Sequence, residues 1–257
     1  MTLTFVTFVF LIFYLSQVKG WLQYQQKVSL QVRNSSPSYP TTTKLCAKKG
    51  AKKGVKGNNN NKLPKLIIFD LDGCLWSPEM YEILYFMGGQ GSPFAVDDQD
   101  PSILRTSGGN PVKLLGNVRD VMYELQYDPK WWHTHVGISS RTDEPNWARE
   151  LLEKFQIYKD GEDAELGPPF PMKQVFTTEI CELAHDSKVL HFERILKNSP
   201  GKPKYSDCLF FDNELGNCRQ VAKLGVTVCY CPKGVTKNDW ETAIDRFPNT
   251  NGKVIGK

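Results

Sequence analysis

An apolar run, Leu66-Ile67-Ile68-Phe69, ends abruptly in Asp70-Leu71-Asp72-Gly73. Four consecutive apolar residues, two of them β-branched, predict a strand buried on both faces, as in parallel sheets covered by helices on each side. HVGIS (135–139), CLFF (208–211) and VTVCY (226–230) have the same character, and QVF (174–176) is a shorter candidate. Between them lie helical stripes. Val118, Val121, Met122 and Leu125 share one face, and Trp147, Leu151, Leu152 and Phe155 follow the start signal Asp143-Glu144-Pro145. Val189, Phe192, Ile195 and Leu196 mark a third helix, and 217–224, closed by Gly225, a fourth. Strands alternating with helices predict the α/β class, with a three-layer Rossmann-like parallel sheet over residues 64–250. Residues 77–117 are broken by glycines and prolines and fit neither period. They are expected to form a small flap and an excursion, without a large cap domain. The acidic, proline-rich stretch 159–173 reads as a surface loop.

Charge is distributed unevenly. Residues 1–65 hold 11 of the 32 Lys and Arg and none of the 28 Asp and Glu, so residues 66–257 carry a net charge of −7. A body this acidic repels phosphate backbones, which argues against a nucleic-acid partner. The apolar run 3–15 is short for a membrane span and suits a signal-peptide core, giving 1–20 as a signal peptide and a mature form without a membrane segment. Residues 21–63, rich in Ser, Thr, Lys and Asn, lack apolar periodicity and read as a disordered linker or transit-like segment. Together they are similar to the two-part presequences that lead to secondary plastids; secretion is the alternative. The seven cysteines show no CxxC pair and no disulfide framework, so free thiols are expected, with Cys208 and Cys229 as small buried hydrophobes. Trp76, Trp131, Trp132 and Trp147 are expected to pack in the interior, and His191 to act as a structural donor on the third helix.

In open parallel sheets, ligands bind beyond the carboxyl ends of the strands. The polar residues there are Asp70 and Asp72, then Ser139, Ser140 and Arg141, then Asp212, Asn213 and Glu214, while Lys188 opens the third helix. Carboxylates gathered at one edge need compensation, which a hard divalent cation supplies through oxygen ligands. Either of the adjacent serines can face such a site. Arg141 can bind a substrate anion or serve as a surface ion pair.

The motifs FDLDG, ISSRT, Lys188 within DSKVLHFERI, and FFDNE, in that order, resemble the haloacid dehalogenase (HAD) superfamily. Within it the sequence is most similar to the magnesium-dependent phosphatases of the MDP type, over about residues 64–246. The resemblance implies a Mg²⁺-dependent phosphomonoesterase with a HAD-like fold, in which Asp70 is the nucleophile and Asp72 the general acid and base. It further implies that Ser140 and Lys188 bind the phosphoryl group, with Ser139, Arg141 and Asn213 as candidates for substrate binding. Mg²⁺ would be held by Asp70, the Asp72 carbonyl and Asp212. Phosphorylated protein side chains such as phosphotyrosine, and small sugar phosphates, are the implied substrates, with a monomer the favoured state. Cys74 replaces the usual threonine of the first motif, which bears on support of the turn, and Asn213 replaces a second aspartate, which leaves a catalytically silent phosphate-binding or scaffold protein as the alternative.

Overall fold

The computed structural model describes residues 62–159 and 167–256. The expected signal peptide, nearly all of the basic segment after it and the middle of the 159–173 loop therefore lie outside the described residues. The described chain opens with β1 (Leu66–Phe69), β2 (Trp76–Ser77), α1 (Met80–Phe86), β3 (Ala95–Val96), β4 (Ile103–Arg105) and β5 (Pro111–Leu114). Next come α2 (Val118–Tyr127), β6 (His135–Ser140), α3 (Pro145–Lys154), β7 (Gln156–Ile157) and β8 (Phe170–Pro171). The last part holds β9 (Cys181–Leu183), α4 (Lys188–Asn198), β10 (Cys208–Asp212), α5 (Leu215–Ala222), β11 (Thr227–Tyr230), α6 (Lys237–Arg246) and β12 (Val254–Ile255).

Six strands form the central sheet in the order β12-β11-β10-β1-β6-β9, all parallel. From β1 the chain builds outward through β6 and β9, then returns to the other side for β10, β11 and β12, so the order reverses between β1 and β10. Such a reversal opens a crevice at the strand ends where ligands bind. Successive side chains along each strand point to opposite faces, and both faces are dry. Ile67, Phe69, Leu209 and Phe211 pack with residues of α2, α3 and α6, whereas Leu66, Ile68, Cys208 and Phe210 pack with α4 and α5. These are the three layers expected.

Three features differ from the expectations. QVF does not form a strand: residues 172–175 make a 3₁₀ turn that buries Met172, and the edge position beside β6 goes to Cys181–Leu183. Two apolar residues in three cannot distinguish a turn from a strand, and an edge strand needs only one row of partners. Gly137 on β6 allows this edge to close up, since a Cβ there would lie 2.7 Å from the Ile180 carbonyl. Trp132 is 54% exposed, unlike the other three tryptophans expected to pack. Residues 76–114 contain a four-stranded antiparallel sheet, order β2-β5-β4-β3, and α1. All six cysteines among the described residues are free, and Cys208 and Cys229 are fully buried.

Phe69 and Phe211 stack on neighbouring strands at 5.0 Å between centroids, and Trp240 of α6 covers both at 6.5 and 5.6 Å. Trp240→Ala is expected to lower unfolding stability in urea by roughly 3–5 kcal/mol. Trp132→Ala, at an exposed site, is expected to change it by less than about 0.5 kcal/mol.

Candidate active site

The register pairs Phe69 with Phe211, so the chain leaves β1 at Asp70 beside Asp212 at the end of β10. The Asp70 amide donates to the Phe211 carbonyl at 2.9 Å and continues the ladder. Asp70 Oδ1 accepts from the Leu71 amide at 2.8 Å and lies 2.9 Å from Lys188 Nζ, while no hydrogen bond to Oδ2 is found among the described residues. Asp212 is fully buried; its Oδ1 accepts from the Glu214 amide at 2.6 Å and its Oδ2 lies 3.3 Å from Lys188 Nζ. Lys188 is delivered from the first position of α4, whose N-terminus is capped by Ser187 Oγ accepting from the Leu190 amide. Its ammonium also donates to the Ser139 carbonyl, which ties β6 into the same point. Burial favours the neutral amine, but Asp70 and Asp212 outweigh it and hold Lys188 above its ordinary value.

Burial, reinforced by the Asp70 charge, pushes the Asp212 carboxyl well above the usual carboxylate range. The same causes raise Asp72 to about 7, against the opposing pull of the Trp76 indole, whose Nε1 donates to Asp72 Oδ1 at 2.8 Å. Trp76 is thus a packing residue that also orients a carboxylate, a role its sequence context does not reveal. Gly73 makes the tight turn between them in the left-handed region at φ 69°, and a Cβ there would lie 2.2 Å from Asn213 Nδ2. Cys74 donates its thiol to the Phe211 carbonyl at 3.6 Å and lies the same distance from the Cys231 sulfur.

The crevice is a cavity of about 190 Å³ lined by Asp70, Asp72, Ser140, Arg141, Asn213 and Glu214, among others. Two buried side-chain oxygens of this site, Ser140 Oγ and Asn213 Oδ1, have no hydrogen-bond partner among the described residues, and Asp212 Oδ2 has only the ion pair with Lys188. Buried polar groups are almost always satisfied, so orphans gathered in one place mark a position for a bound group. A larger cavity of about 550 Å³ between α2 and α6 has no such orphans, and Glu124 and Lys130 in its wall are already paired at 2.7 Å.

The two serines separate as strand alternation requires. Ser140 faces the cavity, whereas the Ser139 hydroxyl points to the opposite face and pairs with His191 Nδ1 at 3.1 Å. Ser139 therefore does not contact substrate through its side chain; its contribution is the carbonyl that holds Lys188. Arg141 is exposed at the rim, and Asn213 donates from Nδ2 to Glu79 at 3.3 Å with Oδ1 left free in the site. Glu79, Tyr81, Thr142, Asp143 and Asn217 also line the cavity. Glu79, the N-cap of α1, and Tyr81 in its first turn reach the crevice. Met80, Ile83, Leu84 and Met87 recur at helical spacing and signal the helix, but not that its start returns to the site.

The donor set is suited to a hard cation. Asp70 and Asp212 share the single Lys188 ammonium, Asp72 lines the same crevice, and all the donors are oxygens. Among the described residues no three His, Cys, Asp or Glu side chains are grouped as a metal site.

A sequence profile of the acid phosphatase family matches residues 62–250. The human protein named magnesium-dependent phosphatase 1 is 30% identical over 198 residues, covering 72% of this chain and 88% of that protein. A HAD-like hydrolase superfamily protein of Schizosaccharomyces pombe is 29% identical over 168 residues, 65% of this chain and 86% of its own. A solved HAD-superfamily hydrolase from Ehrlichia chaffeensis, 12% identical, aligns over 73% of this chain and 99% of its own with a TM-score of 0.44. The chain belongs to the acid phosphatase family, and it is a phosphatase of the HAD type, as its four motifs led one to expect.

His191 gives this site a pH signature. Burial, then the charges of Lys188 and Arg194, lower its pKa to about 4, against a smaller opposing effect of Asp186. The unfolded chain therefore takes up this proton first. The contribution is complete above about pH 6.5 and is lost as pH falls toward 4, by up to about 3 kcal/mol. Asp72 and Asp212 titrate in the opposite sense, so the difference between wild type and His191→Gln in urea melts at pH 7 and pH 4.5 isolates it. The variant is expected to lose less stability on acidification.

Proposed function

We propose that this chain is a Mg²⁺-dependent phosphomonoesterase that turns over through an aspartyl-phosphate on Asp70. The observation that carries the reading is the fully buried Lys188 ammonium held between Asp70 and Asp212, with the unpartnered Ser140 hydroxyl in the same crevice. Asp70 Oδ1 is engaged by Lys188 and the Leu71 amide, which leaves Oδ2 to attack phosphorus in line. As the Oδ2–P bond forms, the ester P–O bond breaks and the leaving oxygen takes a proton from Asp72, which Trp76 holds in place. In the second half-reaction Asp72 takes a proton from water, the water oxygen bonds to phosphorus, and the Asp70 carboxylate leaves, releasing inorganic phosphate. Ser140 donates to a phosphoryl oxygen, and Lys188 neutralises charge on the nucleophile and the phosphoryl group.

Asp70, the Asp72 carbonyl and Asp212 would hold the cation, and the human relative's name is that of a magnesium-dependent enzyme. Mg²⁺ supplies charge stabilisation and orientation of the phosphoryl group. A cavity of about 190 Å³ accommodates a phosphoryl group and little else, so the remainder of the substrate lies on the rim. Both a phosphorylated protein side chain such as phosphotyrosine and a small sugar phosphate meet that condition. In this reading residues 64–250 are the catalytic domain and the leader directs the chain to a plastid; a fluorescent fusion of residues 1–63 appearing in the plastid supports the latter, and uniform secretion overturns it.

The full chain is expected to release phosphate from p-nitrophenyl phosphate with Mg²⁺, to stop on EDTA addition and to recover on restoring Mg²⁺. Asp70→Asn is expected to lower kcat by at least about 10³-fold with the fold preserved by circular dichroism. A folded parent that binds phosphate without turnover would instead make the chain the silent phosphate-binding protein.

A further inference from the structure

The floor and the rim of the crevice carry different charge. On the floor, Asp70 and Asp212 face Lys188, with Asp72 beside them and, in the phosphatase reading on which this inference rests, a divalent cation, so the floor carboxylates have cations to meet. The rim is not balanced. Glu79, Asp143 and Glu214 stand around the mouth against the single guanidinium of Arg141. Glu214 is exposed and holds Asn217 Nδ2 at 2.9 Å, and Glu79 holds Asn213 Nδ2 at 3.3 Å, so both carboxylates are fixed in place rather than swinging freely into solvent. His185 Nδ1 lies 3.3 Å from Asp143 and offsets it only when protonated. Tyr81, 41% exposed, stands at the same mouth, and an aromatic face attracts cations.

The position of the phosphoryl group is marked independently by the Ser140 hydroxyl, 1% exposed and without a partner. A substrate whose phosphoryl group reaches it must leave its carbon skeleton among the rim carboxylates. We propose that this rim selects phosphomonoesters whose leaving group carries positive charge near the phosphate, such as a phosphorylated residue flanked by lysine or arginine, and disfavours esters that carry a second anionic group. Sugar bisphosphates and phosphorylated carboxylic acids are the disfavoured class. The preference acts through unscreened charge and so depends on ionic strength.

The test uses the full chain with Mg²⁺ and three aryl phosphates that share a leaving phenol and differ in a distant charge: phosphotyramine (ammonium), p-cresyl phosphate (neutral) and 3-(4-phosphooxyphenyl)propionate (carboxylate). At low salt kcat/KM is expected to fall in that order by about tenfold between the first and the last. The spread is expected to collapse by half a molar NaCl and to shrink in Asp143→Asn, an exposed change that leaves the floor intact. Equal rates, or preference for the carboxylate, overturn the inference while leaving the phosphatase reading standing. Absence of turnover with all three overturns the phosphatase reading itself; calorimetric binding of the same three esters then decides the charge preference, with tighter binding of phosphotyramine supporting it and equal affinities overturning it.

Discussion

Lys188 is the contact on which the rest of the site depends. Parallel pairing of β1 with β10 places Asp70 next to Asp212 at adjacent strand ends, and neighbouring strands lie only about 4.8 Å apart. Two carboxylates that close repel each other, and burial together with the Asp70 charge holds the Asp212 carboxyl above the usual range. The Lys188 ammonium relieves part of that repulsion by bonding to both and to the Ser139 carbonyl, so one side chain joins β1, β6 and β10. Removing it would leave two buried like charges together, an arrangement the fold cannot hold without a cation.

The sheet supplies this arrangement through period-two alternation alone. Ser139 and Ser140 are adjacent and chemically identical, yet one bonds His191 on the α4 face and the other opens into the cavity. Their different roles follow from which face of β6 each occupies. His191 is kept neutral by burial and by Lys188 three residues before it, so it can position Ser139 without adding a second positive charge. The histidine that bonds Ser139 and the lysine that bridges the two aspartates thus share one helix without competing.

The parts of the molecule that the sequence makes legible are those in which a long period repeats. The strands at 66–69, 135–140, 208–212 and 227–230 and the helices α2 to α5 bury whole faces, so their pattern survives any local irregularity. Asp70, Asp72, Asp212 and Lys188 were visible because each sits directly at a strand end or helix start. What remained hidden is short or weakly patterned. Strands β2 to β5 have two to four residues each, and α1 has only seven. Met80 and Ile83 bury its inner face and a capping box between Glu79 and Glu82 closes its start, but so short a stripe is easily lost among the glycines and prolines around it. Helix α6 buries chiefly Trp240 and Ala243 and relies on the Thr236–Asp239 capping box. Nothing in the sequence around Glu79 and Tyr81 reveals that the start of α1 returns to the crevice.

The two motif positions that depart from the family pattern can be understood from what their side chains do. The Cys74 thiol ties the turn after Asp70 to β10 by donating to the Phe211 carbonyl, immediately before Asp212. A thiol donates more weakly than a hydroxyl, but at this fully buried position it has no water to compete with. Asn213 removes one negative charge from a site already rich in them, keeps an oxygen directed into the crevice, and uses its amide to fix Glu79 of α1. That last contact joins the end of β10 to the N-cap of α1. An aspartate there would repel Glu79, so the asparagine and the α1 carboxylate form a matched pair, and it is this pairing that brings the acidic rim up to the mouth of the site.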